Sequence, residues 1–110
     1  MIEDQWITAL KALADKSRLR IIRTLLDQPM TVNDLSERLS ISQYNVSKHL
    51  RILREAGLVE ATKIANRREY AIPSHHKGQS GGTQLDLGCL LFRFDRLPLA
   101  PRQQEQAAVA

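Results

Sequence analysis

Between Gln43 and Arg51 the chain sets out Gln43, Tyr44, Asn45, Ser47, Lys48 and Arg51, a group suited to the edges and backbone of a DNA duplex. A Gln or Asn carboxamide presents an acceptor beside an amino group, which complements N6 and N7 of adenine. Tyr44 can meet a thymine methyl or a phosphate, and Lys48 can reach guanine acceptors or the backbone. Ser42, Ser47 and Arg51 suit phosphate oxygens, helped by the positive end of a helix dipole if a helix begins there. Val46, Leu50 and Leu53 interleave with these residues at i, i+4 and i+7. One apolar stripe is thus buried and the polar set is displayed opposite.

Several signals predict the elements that hold this face. Ser42 is a natural N-cap and Gly57 a natural left-handed stop, so the helix runs between them. Upstream, Thr31 with Asp34 forms a capping-box-like start, and Leu35 and Leu39 sit at i, i+4. Ser40-Ile41-Ser42 joins the two helices, and the unit reads as a helix-turn-helix. His49 falls between Val46 and Leu53 on the rim of the core, a packed or hydrogen-bonded histidine rather than a base reader.

After Gly57 the period changes from helical to alternating. Val59, Ala61 and Lys63 alternate with Glu60 and Thr62, Ala65-Asn66-Arg67 turns, and Arg68 to Ile72 returns before Pro73. Asn66 is the turn residue that best tolerates positive φ. The result is a β-wing whose tip, with Lys63, Asn66, Arg67 and Arg68, would lie on the backbone or in a neighbouring minor groove; a solvated hairpin tip is the plainer alternative.

The N-terminal part is helical. Residues 3–14 carry Trp6, Leu10 and Leu13 on one stripe, with Ile7 and Ala14 beside it. Asp15 caps a second helix whose Leu19, Ile22 and Leu26 face inward, and Gln28-Pro29 ends it. Arg18 and Arg20 on this helix suit either a phosphate or ion pairs with Asp15 or Glu37.

The expected architecture is mainly α with a small β-wing, a winged helix-turn-helix. Residues 1–73 form the DNA-binding domain, to which the family resemblance given below adds dimerisation, and residues 74–84, with three of the five glycines, form a flexible linker. Residues 85–95 form an apolar, strand-like segment in which 85–94 reads as one extended strand buried on both faces, a short buried helix being the alternative. Residues 96–110 form a disordered tail.

Composition narrows the partners. The 110 residues are 43% apolar and carry a formal charge of +4 with pI near 9.6. Residues 1–40 balance six basic against six acidic side chains, whereas residues 41–73 hold six basic against three acidic. The excess falls on the second helix of the motif and the wing, where phosphates would be met. No apolar run approaches the ~20 residues of a membrane span and no leader pattern opens the chain, so a cytoplasmic protein is expected. Nothing resembles a Gly-rich phosphate loop or a nucleophile–base pair, which argues against an enzyme. Cys89 is the only cysteine, so a multi-thiolate zinc site within one subunit is excluded.

The blocks LKALADKSRLRIIRTLL and DLSERLSISQYNVSKHLRILREAGLV, followed by the basic wing and Tyr70, resemble the ArsR/SmtB winged-helix repressors over roughly residues 6–72. The resemblance implies a homodimer that binds a twofold-symmetric operator on double-stranded DNA and releases it on an inducer. It also implies that the first helix, through Trp6, Ile7, Leu10 and Leu13, contributes to the dimer interface, with ordinary core packing as the alternative for the same stripe. Metal-sensing members often carry Cys-Val-Cys where this chain has Thr31-Val32-Asn33, so neither a soft-metal site there nor any cofactor is expected. Ser40 stands where the family favours glycine, which implies a left-handed serine at a cost of up to ~1 kcal/mol. His75-His76 sit in an extended segment where neighbours point opposite ways, and read as solvated rather than as metal ligands. Cys89, in an apolar run, reads as inert core, with a redox or effector role as the alternative. The effector, whether small molecule, metal or redox signal, is unassigned. The competing functional class is a winged-helix protein–protein module whose basic face meets an acidic partner.

Overall fold

The computed structural model describes residues 2–79 and 82–97. Four helices come first: α1 (Ile2–Leu13), α2 (Lys16–Asp27), α3 (Val32–Leu39) and α4 (Gln43–Glu55). Two antiparallel hairpins follow, β1 (Glu60–Ile64) with β2 (Arg67–Ala71), and β3 (Gln84–Asp86) with β4 (Leu91–Arg93).

The helix boundaries follow from local hydrogen bonds. Asp15 caps α2 by accepting from the Arg18 amide at 3.0 Å. Thr31 and Asp34 complete a reciprocal capping box on α3, and Ser42 Oγ accepts from the Asn45 amide at the start of α4. At the end of α4 the amide of Leu58 reaches the Leu53 carbonyl and that of Gly57 reaches Arg54, both at 2.9 Å. This is the Schellman pattern, and Gly57 at φ 78° supplies its left-handed residue. The turn between α3 and α4 is held by Ser40 in the left-handed region (φ 56°, ψ 44°), as expected, and by Ser36 Oγ donating to the Ile41 carbonyl at 2.6 Å.

α2 lies at the centre, touching α1, α3, α4 and β2. Being covered on several sides, it buries a wider arc than a single stripe. Ile21 and Leu25 join Ile22 and Leu26 in the core, while Leu19 is half-buried. Leu35, Val46, Leu50, Leu53 and Leu58 close around it. Each fully buried leucine of this kind contributes about 1.5–3 kcal/mol over its exposed state.

The wing differs from expectation in two ways. Met30 and Tyr70 exchange both backbone hydrogen bonds, at 3.0 and 2.8 Å, so the segment before α3 adds a third edge to the wing and ties it to the helices. The positive φ lies on Ala65 (φ 56°), not on Asn66. Pairing of Ile64 with Arg67 leaves a two-residue loop, and a turn with positive φ only at its first central residue follows the type II′ pattern. The register therefore overrides the side-chain preference of asparagine.

The C-terminal segment is not one strand buried on both faces. It folds back on itself, with Gln84, Leu85 and Asp86 opposite Arg93, Phe92 and Leu91. Gly88 at φ 82° lets the chain reverse, and the Leu87 amide closes the turn onto the Leu90 carbonyl at 2.9 Å. Only Leu85 is fully buried, with Leu87, Phe92 and Phe94 half-buried against the core and Leu90 and Leu91 exposed. Within the stretch read as linker, Ser74–His76 makes a single 3-10 turn, and His76 Nδ1 donates to the Asp86 carbonyl at 2.8 Å. The expected tail at 96–110 lies outside the described residues beyond Leu97.

Candidate nucleic-acid interface

α4 presents its polar face as its spacing requires. Val46, Leu50 and Leu53 are fully buried, while Gln43, Tyr44, Asn45, Ser47, Lys48 and Arg51 are exposed, Tyr44 at 77%. Ser42 Oγ is engaged as the cap but keeps its own hydroxyl proton to donate. Arg51 Nε lies 3.5 Å from Glu55 in an exposed i,i+4 pair, a weak tie that a phosphate can displace.

α4 and the wing enclose a shallow groove lined by Ser47, Arg51, Arg54, Glu55, Arg68 and Tyr70. Three arginines therefore face one channel. Arg54 was absent from the expected set, although its spacing from Ser47 and Arg51 (i, i+4, i+7) already places it on that face. Lys63 and Arg68 are directly opposite in the β1–β2 register. Like charges so placed repel in the free protein, and a polyanion between them relieves the repulsion. Arg67 differs from its neighbour because it donates to Glu69, a carboxylate far less exposed than the Glu55 that meets Arg51, and so is paired more firmly. Asn66 is exposed at the wing tip.

Near the start of α4 a second depression gathers Asn33, Gln43, Arg67, Arg68 and Tyr70. There Gln43 Nε2 donates to Asn33 Oδ1 at 2.8 Å, and Asn33 Nδ2 lies 3.4 Å from Glu37 Oε1. The Thr31 hydroxyl is engaged by the Asp34 amide at 3.1 Å. The polar atoms of Thr31 and Asn33 thus serve the α3 cap and a contact with α4.

Arg18 and Arg20 leave the candidate phosphate set. Arg18 Nε donates to the Ala12 carbonyl at 2.6 Å and Nη2 to Lys11 at 3.4 Å, closing the C-terminus of α1. Arg20 Nη2 donates to the Leu39 carbonyl at 3.0 Å, closing α3. Both guanidinium groups satisfy helix-end carbonyls that would otherwise lack partners. His49 behaves as expected, with Nδ1 3.3 Å from Arg18 Nη1 and 4.0 Å from Asp15 Oδ2. The Asp15 carboxyl is held below its ordinary range chiefly by the hydrogen bond from the Arg18 amide; burial opposes this, and the charges of Arg18 and His49 and the Ser17 amide add to the lowering.

The residues expected at a dimer interface divide. Trp6, Ile7 and Leu10 are 45%, 49% and 42% exposed on α1, with Ile2 beside them, whereas Leu13 is buried in the core of its own chain. Cys89 is exposed rather than core, because the turn at Gly88 carries it to the hairpin loop. It borders a depression with Trp6, Ala9, His76 and Leu87, so the turn of the second hairpin lies across that depression from α1. His75 and His76 have ring centroids 4.2 Å apart, and among the described residues no three His, Cys, Asp or Glu side chains cluster as metal ligands. No helix among the described residues is long and apolar enough to cross a membrane.

The family described as bacterial regulatory protein, arsR family, matches residues 15–61. The transcriptional activator HlyU of Vibrio cholerae is 43% identical over 68 residues, which are 62% of this chain and 63% of that protein. The HTH-type transcriptional regulator CmtR of Mycobacterium tuberculosis is 39% identical over 72 residues, covering 66% of this chain and 61% of that one. The chain thus spans about three fifths of the length of these relatives. Among solved structures, HlyU from Vibrio cholerae superposes with TM-score 0.61 at 40% identity, covering 66% of this chain and 78% of the other. A homodimeric winged helix-turn-helix DNA-binding domain from Mycobacterium bovis gives 0.65 at 30% identity, covering 67% and 68%.

Proposed function

The chain belongs to the arsR family of bacterial regulatory proteins, and we propose that it acts as a homodimeric, sequence-specific DNA-binding transcriptional regulator, a repressor of a palindromic operator. The carrying observation is one continuous surface in which the polar face of α4 and the arginines of the wing groove meet. Asn45 and Lys48 on α4 would enter the major groove with Gln43, while Arg51, Arg54 and Arg68 would hold backbone phosphates on either side. Repression needs stable occupancy of the operator, which this surface would support. The functional residues are surface groups suited to binding, and we read the chain as a cytoplasmic regulator rather than an enzyme.

Dimerisation would cover the apolar face of α1, where Trp6, Ile7 and Leu10 are about half exposed in the single chain. The adjoining β3–β4 hairpin, with Leu90 and Leu91 exposed, would extend that interface in place of a C-terminal helix. A twofold dimer sets two α4 helices about 34–36 Å apart, on successive major grooves. Selection from random duplex DNA tests this reading. Enrichment of a twofold-symmetric sequence with half-sites about one helical turn apart is expected. No enriched sequence, or one lacking symmetry, would overturn it.

A further inference from the structure

The strip from Glu37 through Asn33 to Gln43 is a hydrogen-bond relay with a direction. Asn33 Nδ2 lies 3.4 Å from Glu37 Oε1, and Asn33 Oδ1 accepts from Gln43 Nε2 at 2.8 Å. An ionised carboxylate only accepts, so Glu37 draws the amino group of Asn33 to itself. The Asn33 oxygen is then left facing Gln43, and Gln43 must answer with its own amino group. A free carboxamide can flip and offer either pattern, whereas this one is oriented from α3.

We infer that Asn33, oriented by Glu37, is a specificity-setting residue that makes Gln43 read adenine and reject guanine at one operator position. A glutamine amino group has two hydrogens, and Asn33 takes one. Gln43 keeps Oε1 as an acceptor and one hydrogen as a donor. Adenine offers the complement, a donor at N6 and an acceptor at N7. Guanine offers acceptors at both O6 and N7 and needs two donors, of which Gln43 has one left. Asn33 touches no base on this account; it acts through Gln43. The inference rests on the proposal that α4 reads DNA, and it adds which base is read and why.

The test uses the full chain with a selected operator and duplexes carrying A·T→G·C changes, one position at a time. The Gln43→Ala variant locates the contacted position as the one where its base preference collapses. At that position the wild type should favour adenine over guanine by roughly tenfold or more. Asn33→Ala should narrow this ratio to a few-fold while leaving affinity for scrambled DNA and the salt dependence unchanged, which a loss of folding would not do. Glu37→Gln should narrow it as well, because a carboxamide at that position lets Asn33 flip. Replacing the adenine by 7-deazaadenine should weaken the wild type and leave Gln43→Ala unaffected. An undiminished ratio in Asn33→Ala, or a wild-type preference for guanine there, would overturn the inference with the DNA-reading proposal intact. A wild type that bound every duplex alike would overturn both.

Discussion

Arg67 and Arg68 are adjacent at the wing tip, and the structure predicts that they contribute unequally to DNA binding. Arg68 opens onto the groove with Arg51 and Arg54, and it faces Lys63 across the hairpin. Arg67 is paired with Glu69, whose side chain is only 20% exposed. Each phosphate neutralised on duplex DNA contributes about 0.9 to the slope of log affinity against log salt. Removing Arg68 from both protomers should therefore flatten the slope by about 1.8. Over a fourfold rise in salt, wild-type affinity then falls about twelvefold more than that of Arg68→Ala. Arg67→Ala should change the slope by less than half as much, about 0.8 or below, because the Arg67–Glu69 pair brings little net charge to the phosphates. Fluorescence anisotropy on a labelled duplex across a salt series reads both slopes, and scrambled DNA should show the same differences. An unchanged slope for Arg68→Ala, or an equal change for the two variants, would refute the groove as the phosphate channel.

Three further outcomes follow from other parts of the molecule. Ser40→Gly relieves a left-handed serine (φ 56°), offset partly by the greater freedom of glycine in the unfolded chain, and should raise stability by about 0.5 kcal/mol in urea unfolding. The depressed Asp15 carboxyl contributes stability that is fully present above its ordinary 3.8 and lost as pH falls through the lower folded value. Asp15→Asn keeps the cap but not the charge, so its unfolding midpoint should fall less steeply in that acid range. Trp6→Lys with Leu10→Lys should give a monomer by light scattering with unchanged helical circular dichroism, since both side chains are about half exposed in the single chain.

The helix-turn-helix was legible because short-range bonds define it. The Thr31–Asp34 box, the Ser42 cap and the Gly57 stop each act within a few residues, and the structure retains all three. Its outward face followed from the same periodicity that buries Val46, Leu50 and Leu53. Features that depend on distant partners were not legible. The Met30–Tyr70 bridge is a single pair with no period to read. Arg18 and Arg20 meet carbonyls at the ends of α1 and α3, which no charge pattern announces. Asn33 meets Gln43 only because the turn folds α3 against α4. Residues 85–94 misled because Leu85, Leu87, Cys89 and Leu91 keep alternating across a chain reversal. Gly88 was the signal of that reversal, and it explains why Cys89 is exposed.

The central claim is that α4 reads DNA sequence and the wing groove holds the backbone. It is tested most directly by anisotropy on a selected operator and a scrambled duplex at one salt concentration, with the wild type and Asn45→Ala. The wild type should bind the operator at least about a thousandfold more tightly than the scramble. Asn45→Ala should lose roughly fivefold to a hundredfold of that preference with its scrambled-DNA affinity unchanged. Equal wild-type affinity for the two duplexes, or a preference untouched by Asn45→Ala, would contradict the account.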